Sequence, residues 1–362
     1  MKGTVHYEEH DDIALLSIDN PPVNPLSSGV RQGLFDGVSL ALENDAITAI
    51  VITGMHRAFI AGADISEFGG AATEGVSLNE ATAKIEGSAK PVIAAINGTA
   101  FGGGLEVALC CDYRIAAVNA PVGLPEVKLG LLPGCGGTQR LPRLIGAAAA
   151  VSAMISGDPI FAPDALSLGI IDRIATGDLV EDSIAYAREI VANGAQTRKI
   201  RDLDDKVIAD RGNSQLFEEF AANLDKTHRG QFAPAQILKC IEAAVNATDF
   251  DSGMRVERER FAECLSHPQR EALIHIFFAE RAANKIPGLS KDVSLIDINK
   301  GSVIGAGTMG GGIAMCFANA GIAVRIHDND PENLARGVKI IEGNYARTVS
   351  KGRLSQADMD TR

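Results

Sequence analysis

Runs of consecutive apolar residues alternate with stretches whose apolar positions recur at helical spacing, and this alternation organises the first half of the chain. Ile13 to Ile18 and Ala49 to Thr53 read as strands; between them Val30, Leu34, Val38 and Leu42 recur every four residues, as one face of a helix does. The chain is therefore expected to start β-α-β. Val92 to Ile96 reads as a further strand, followed by a helix opening in the Gly102 to Gly104 run and reaching about Cys111, then the strand Tyr113 to Ala117. Alternation of this kind predicts an α/β fold. The longest apolar run, Leu144 to Ile155, is about half of the roughly 20 residues that span a bilayer and reads as one buried helix.

From about Asp178 to Lys285 the pattern is helical. It has charged faces such as Arg255-Val-Glu-Arg-Glu-Arg-Phe261 and a compact apolar stretch at Leu273 to Phe278, and Ile286-Pro-Gly288 ends it. A new unit then begins with the strand Asp297 to Ile304, an apolar helix from Ile313 to Ala320 and a second strand from Ile322 to His327.

Composition narrows the function classes. A chain of 362 residues, 46% hydrophobic and 22% charged, is long enough for two or more folded units. Its net charge of −12 argues against nucleic acid or an anionic membrane surface as a partner, since both need a basic face. The six cysteines form no CxxC pair and have no paired His spacing, so reduced thiols and no metal site are expected. The N-terminal Met1-Lys-Gly-Thr-Val-His-Tyr-Glu-Glu-His10 lacks an apolar core, so no targeting peptide and a cytoplasmic location are expected.

Two carboxylates set in glycine- and proline-rich turns are the leading chemical candidates: Glu106 in Phe101-Gly-Gly-Gly-Leu-Glu106 and Glu126 in Leu124-Pro-Glu126. A single glutamate near a helix start is ordinarily a solvated charge. A pair flanked by open backbone amides suits acid/base chemistry beside an activated carbonyl. The glycine triplet opens a helix whose first N–H groups favour a developing negative charge, which makes Gly103 one donor. The segment Arg57-Ala-Phe-Ile-Ala-Gly-Ala-Asp-Ile65 follows a strand and offers a second, read as Ala61. Asp64 reads as a turn former, Cys135 as a small apolar filler, and Thr138 with Gln139 as supports of their turn.

The last unit carries Gly305-Ala-Gly-Thr-Met-Gly310 between a strand and a helix, and Asp328 ends the next strand, 23 residues after Gly305. The glycines permit a tight turn and close approach of a pyrophosphate to the helix start, while the acid can bind a ribose hydroxyl. Strand, helix, second strand and acid together predict dinucleotide binding through Gly305, Gly307, Thr308, Met309, Gly310 and Asp328.

Ala61-Gly-Ala-Asp-Ile65, Phe101-Gly-Gly-Gly-Leu-Glu106, Leu124-Pro-Glu126 and Leu132-Pro-Gly-Cys-Gly-Gly-Thr-Gln-Arg-Leu141 resemble the enoyl-CoA hydratase (crotonase) family in order and in the 20-residue spacing of the glutamates. With Phe277-Phe-Ala-Glu-Arg281, Lys285-Ile-Pro-Gly288 and the Gly305 motif, the chain is similar to multifunctional β-oxidation enzymes that fuse a hydratase to a 3-hydroxyacyl-CoA dehydrogenase. The resemblance implies a crotonase spiral of ββα repeats over residues 1–190, helical extension and linker over 191–290, and the first part of a Rossmann NAD-binding domain over 296–362.

It further implies that Ala61 and Gly103 form an oxyanion hole for a thioester carbonyl and that Glu106 and Glu126 add water across the 2,3 double bond of an enoyl-CoA. Arg57, Ala58, Ala63, Asp64, Ile65, Phe101, Gly102, Pro125 and Gly134 would contact substrate, NAD would be the dinucleotide, and a thiolase subunit is a candidate partner. Cys135 departs from the small residue expected in its turn. The dehydrogenase residues that the resemblance places further along are not among these 362, so truncation and an inactive dehydrogenase half are expected. Two alternatives stay open: a Δ3,Δ2-enoyl-CoA isomerase, which needs one glutamate, and a non-catalytic scaffold for CoA or thiolase.

Overall fold

The fold comes from a computed structural model that describes residues 3–64, 75–194, 197–283, 286–289, 293–294 and 296–362. The chain divides into two compact units, Met1–Asn284 and Lys285–Arg362.

The first unit is built on a six-stranded sheet. Thr4–His10 pairs antiparallel with Ile13–Asp19; Ala49–Gly54, Val92–Ile96, Tyr113–Ala116 and Arg173–Ile174 continue it in parallel. Every residue of Ala49–Gly54 and Val92–Ile96 is buried, as in parallel strands covered on both faces. Along the second strand the pleat sends Ile13 and Leu15 toward Ile184, Ala187 and Ile190 of the helix Leu179–Ala192, and Ala14, Leu16 and Ile18 into the core containing Val30, Leu34 and Val38 of the helix Ser28–Glu43.

The expected β-α-β start is in fact a hairpin followed by helix and strand. Thr4–His10 (TVHYEEH) is an edge strand alternating between exposed and half-buried positions, so it carries no apolar run to announce it. The chain turns back at Asp11, at φ 56°.

After each inner strand the chain crosses to a second, four-stranded sheet and then forms a helix or helical turn. Ala49–Gly54 leads to Ala58–Ile60 and the helix Leu78–Glu86. Val92–Ile96 leads to Thr99–Phe101 and the helix Gly103–Cys110. Tyr113–Ala116 leads to Pro121–Gly123 and the turn Glu126–Leu129, and Ile160–Phe161 completes the small sheet. These are the ββα repeats of the spiral. The three-residue strands are too short to carry a periodic signal.

The run Leu144 to Ile155 is two helices, Gly137–Ile145 and Ala147–Ser156, not one. Gly146 separates them at φ 84° and ψ 161°, a backbone that other residues rarely adopt. Of the later helices, Ala233–Asn246 and Phe250–Ser266 pack on each other and on Gly137–Ile145. The stretch Leu273 to Phe278 lies in the helix Pro268–Ala283, none of whose residues is buried. Among the described residues no helix is long and apolar enough to cross a membrane.

In the second unit the parallel strands Lys300–Ile304 and Ala323–His327 flank the helix Thr308–Asn319, and the helices Pro331–Ser350 and Gln356–Thr361 follow.

Candidate active site

The small sheet places the chemistry. Its strands Ala58–Ile60, Thr99–Phe101 and Pro121–Gly123 run parallel, with Ile60 beside Ala100 and Phe101 beside Gly123. The residues that follow them therefore emerge side by side: Ala61 to Asp64, Gly102 to Glu106, and Leu124 to Glu126. Gly102 turns the chain into the helix Gly103–Cys110 at φ 54°, and a Cβ there would stand 2.8 Å from Glu126 Oε1. All three segments line one cavity of about 390 Å³.

The structure corrects one half of the expected oxyanion hole. The Ala61 N–H is taken by the Val23 carbonyl at 3.1 Å. Two residues on, the N–H of Ala63 makes no hydrogen bond among the described residues, and neither does that of Gly103. A Cβ on Gly103 would lie 3.8 Å from Ala63 N, so these two amides are neighbours in the cavity wall. Ala63 with Gly103 replaces Ala61 with Gly103 as the candidate donor pair.

Glu106 is buried, 3% exposed, and its Oε1 accepts the N–H groups of Cys135 at 2.7 Å and Gly137 at 2.9 Å. Burial pushes its carboxyl up from the ordinary value, while the Gly137 and Cys135 amides and the Arg140 charge pull it back. Glu126 is treated differently by its surroundings. Its Oε2 is sealed from solvent and has no hydrogen-bond partner among the described residues. Burial and then the charge of Glu106 push its carboxyl well above the ordinary range. Cys135 Sγ lies 3.4 Å from Asn79 Oδ1, and burial, reinforced by Glu106, raises its thiol well above the ordinary value. It has the surroundings of a protonated filler.

A third carboxylate was not anticipated. Glu257 of the helix Phe250–Ser266 is fully buried; its Oε1 accepts from Gly136 N at 2.6 Å, and its Oε2 accepts from Thr138 N at 3.1 Å and from the Thr138 hydroxyl. Burial first, and Glu106 second, push its carboxyl up to about 8. The sequence held a signal for it: Phe250, Gly253, Met254, Glu257 and Cys264 are the helix's buried residues, and a glutamate sits in that otherwise apolar register. The same turn is held from its carbonyl side, since Arg140 Nη1 donates to Cys135 O at 2.8 Å while Nε and Nη2 grip Glu86. Gln139 Nε2 donates to Thr138 Oγ1 and to Cys240 O, tying the turn to the helical block.

These shifts set a sign for stability. All three carboxylates hold protons more tightly when folded than in the unfolded chain, where a glutamate titrates near ~4.3. Their contribution is complete below that value and is lost as pH rises through the folded values, reaching about 8 for Glu257. Carboxyls lowered by local hydrogen bonds, such as Asp182 and Asp249, act in the opposite sense, but below about pH 4. The thermal midpoint is expected to fall between about pH 5.5 and pH 8.5. Calorimetry showing a flat or rising midpoint would contradict this picture.

Of the residues proposed to contact substrate, Ala63, Asp64, Phe101, Gly102, Pro125 and Gly134 line the cavity. Arg57 and Ala58 do not: Arg57 is exposed, and Ala58 is buried in its strand, its carbonyl accepting from Asn24 Nδ2. Ile65 lies outside the described residues. Phe261, from the same helix as Glu257, joins the lining.

In the second unit Gly305 turns at φ 96°, and a Cβ on Gly310 would overlap the Gly305 carbonyl oxygen, so the loop meets the helix start as closely as glycine allows. Asp328 Oδ2 accepts from Ala306 N at 2.8 Å and Oδ1 from Asp330 N at 3.1 Å, which holds its carboxyl below the ordinary value. Gly307 caps the helix, and Met309 at its start is largely exposed. Among the described residues no cluster of His, Cys, Asp and Glu is arranged to hold a metal.

Residues 8–243 match the family model of enoyl-CoA hydratase/isomerase, and residues 300–362 that of the 3-hydroxyacyl-CoA dehydrogenase NAD-binding domain. The chain is 40% identical over 347 residues to the peroxisomal bifunctional enzyme of Homo sapiens, covering 94% of this chain and 47% of the relative. It is 35% identical over 365 residues to a peroxisomal fatty acid beta-oxidation multifunctional protein of Arabidopsis thaliana, covering 96% and 49%. It thus spans about half the length of the curated relatives it matches. Among solved structures, carnitinyl-CoA hydratase from Mycobacterium avium superposes with a TM-score of 0.56 at 28% identity, over 78% of this chain and 97% of that one. On its motifs, its fold and these matches, the chain belongs to the enoyl-CoA hydratase/isomerase family.

Proposed function

We propose that the first unit hydrates 2-trans-enoyl-CoA to 3-hydroxyacyl-CoA in fatty-acid β-oxidation. The observation that carries the reading is the pair of glutamates in unlike surroundings, lining one cavity with the unbonded amides of Ala63 and Gly103. In this reading the thioester oxygen accepts both amides, which stabilise the charge that develops on it as the C3 carbon is attacked. Glu106, whose Oε1 already takes two N–H groups, is the better anion and receives a proton from the attacking water through Oε2. Glu126, whose Oε2 has no partner and whose charge Glu106 opposes, carries a proton and delivers it to C2. Hydroxyl goes to C3, hydrogen to C2, and the proton gained by Glu106 replaces the one lost by Glu126.

The cavity-lining Asp64, Phe101, Pro125 and Gly134 are the proposed substrate contacts; a CoA phosphate at the exposed Arg57 stays part of the proposal. A second reading, Δ3,Δ2-enoyl-CoA isomerisation, is favoured by one observation: the unpartnered Glu126 Oε2 can take and return a proton by itself. Ultraviolet absorbance of the conjugated enoyl thioester separates the two. Loss of absorbance is expected with a 2-enoyl-CoA, and a gain with a 3-enoyl-CoA would add the isomerase. No change with either would leave the non-catalytic CoA or thiolase scaffold.

For the second unit we propose NAD binding. The Thr308 to Gly310 amides would hold the pyrophosphate and Asp328 the ribose, a fit supported by the tight Gly305–Gly310 approach. NAD, when bound, accepts hydride from a hydroxyacyl carbon. The residues 1–362 by themselves are proposed not to carry out that oxidation. The division at residues 190 and 290, a thiolase partner and a cytoplasmic location belong to the same proposal. Several relatives carry a peroxisomal or glyoxysomal location in their names.

A further inference from the structure

The turn Cys135–Thr138 presents four successive backbone N–H groups, and two buried carboxylates divide them alternately. Cys135 and Gly137 donate to Glu106; Gly136 and Thr138 donate to Glu257. Glu106 is on the helix Gly103–Cys110 and Glu257 on Phe250–Ser266, beyond the residues 8–243 that match the hydratase family model. We propose that Glu257 is a positioning residue for the hydration site: by holding the Gly136 and Thr138 amides and the Thr138 hydroxyl on one side of the turn, it aims the Cys135 and Gly137 amides at Glu106 on the other.

Successive amides in a tight turn cannot be oriented independently, because each peptide plane is rigid and shares a Cα with the next. Release of Gly136 and Thr138 lets the plane between Cys135 and Gly137 rotate, and Glu106 Oε1 loses the geometry that fixes its rotamer and favours its anion. Burial of a carboxylate is costly where an apolar side chain would serve packing alone. No salt bridge to Glu257 is formed among the described residues; its three partners all belong to this turn. Four residues on, Phe261 turns the same helix face toward the site, and a Cβ on Gly134 would stand 2.8 Å from its ring. The helical block thus reaches the working turn at two adjacent points.

The inference rests on the hydratase reading, and its test separates the two. Assayed above about pH 8, where Glu257 is an anion, Glu257→Gln keeps volume but replaces one acceptor oxygen with an NH₂ that faces an N–H. In the full chain, kcat for hydration of a short 2-enoyl-CoA is expected to fall about 10- to 100-fold per folded molecule, with KM within about twofold, as for a sub-ångström misplacement of the catalytic group. Amide hydrogen exchange at Gly136 and Thr138 is expected to accelerate at least about tenfold while the interior of Gly103–Cys110 is unchanged. Wild-type kcat or unchanged exchange in the folded variant would overturn the positioning role. If wild-type protein itself does not hydrate the substrate, the hydratase reading fails and exchange alone decides the role. If Glu257→Gln does not fold, Thr138→Val, which removes one of the three donors, should lower kcat about 3- to 10-fold at unchanged KM; no change would overturn it.

Discussion

Glu126→Gln is expected to lower kcat for enoyl-CoA hydration by about 10²- to 10⁴-fold, the range of a lost general acid, and to leave KM within a few fold. The amide matches a carboxylic acid in size and charge, and burial with the neighbouring Glu106 pushes the Glu126 carboxyl well above the ordinary range, toward that protonated form. What it lacks is a proton it can give. For the same reason the thermal midpoint near neutral pH should stay where it is or rise slightly, since no favourable ionic contact of Glu126 is removed. A large kinetic loss with an unmoved midpoint is the signature sought by steady-state kinetics and calorimetry on one preparation. Equal rates for variant and wild type would remove Glu126 from the chemistry and revive the scaffold reading.

Gly104→Ala is expected to damage both stability and rate. All eight residues of the helix Gly103–Cys110 are buried, and a Cβ on Gly104 would overlap the Ile60 carbonyl oxygen and stand 2.8 Å from Ile60 Cβ. The obstacle is backbone, so the helix start must move off its strand. Overpacking of this kind costs about 1–3 kcal/mol or more. The same movement takes the Gly103 amide away from Ala63, and loss of one oxyanion donor is worth about 10²- to 10³-fold in kcat. Gly103→Ala is the contrast. Its Cβ would be crowded by the flexible ends of Leu26 at 2.9 Å and Leu78 at 3.2 Å, while Ala63 N stands at an ordinary 3.8 Å, so a milder loss is expected. Matching kinetics and midpoints for the two variants would refute the argument that the tight helix–strand contact sets the donor geometry.

Much of this was legible in the sequence, and the failures have physical causes. The inner strands showed because burial on both faces makes them continuously apolar, whereas Thr4–His10 and the three-residue strands lack the buried length to register. The glutamates were legible through their turns. Ala61 was not distinguishable from Ala63, since which N–H is spent depends on the contact with Val23, far away in sequence and invisible to spacing. The break at Gly146 was hidden because an alanine-rich run reads as helix on both sides of a glycine. Glu257 is hidden among the charged residues around it in sequence, although its register with Phe250 and Met254 marks it as inward.

The divided turn has a consequence for how the protein comes to life on the ribosome. The two carboxylates that share Cys135–Thr138 are 151 residues apart in sequence (257 minus 106), so the contact closes over a long loop of chain. During synthesis the motifs around Glu106 and Glu126 emerge early and can fold with the sheet, but the clamp on their supporting turn must wait for the helix Phe250–Ser266. A nascent chain halted after the residues that carry the glutamates would possess both carboxyls without the alignment of their turn. Competence should therefore appear late in translation, gated by a helix that contributes Glu257 to the turn and Phe261 to the cavity wall.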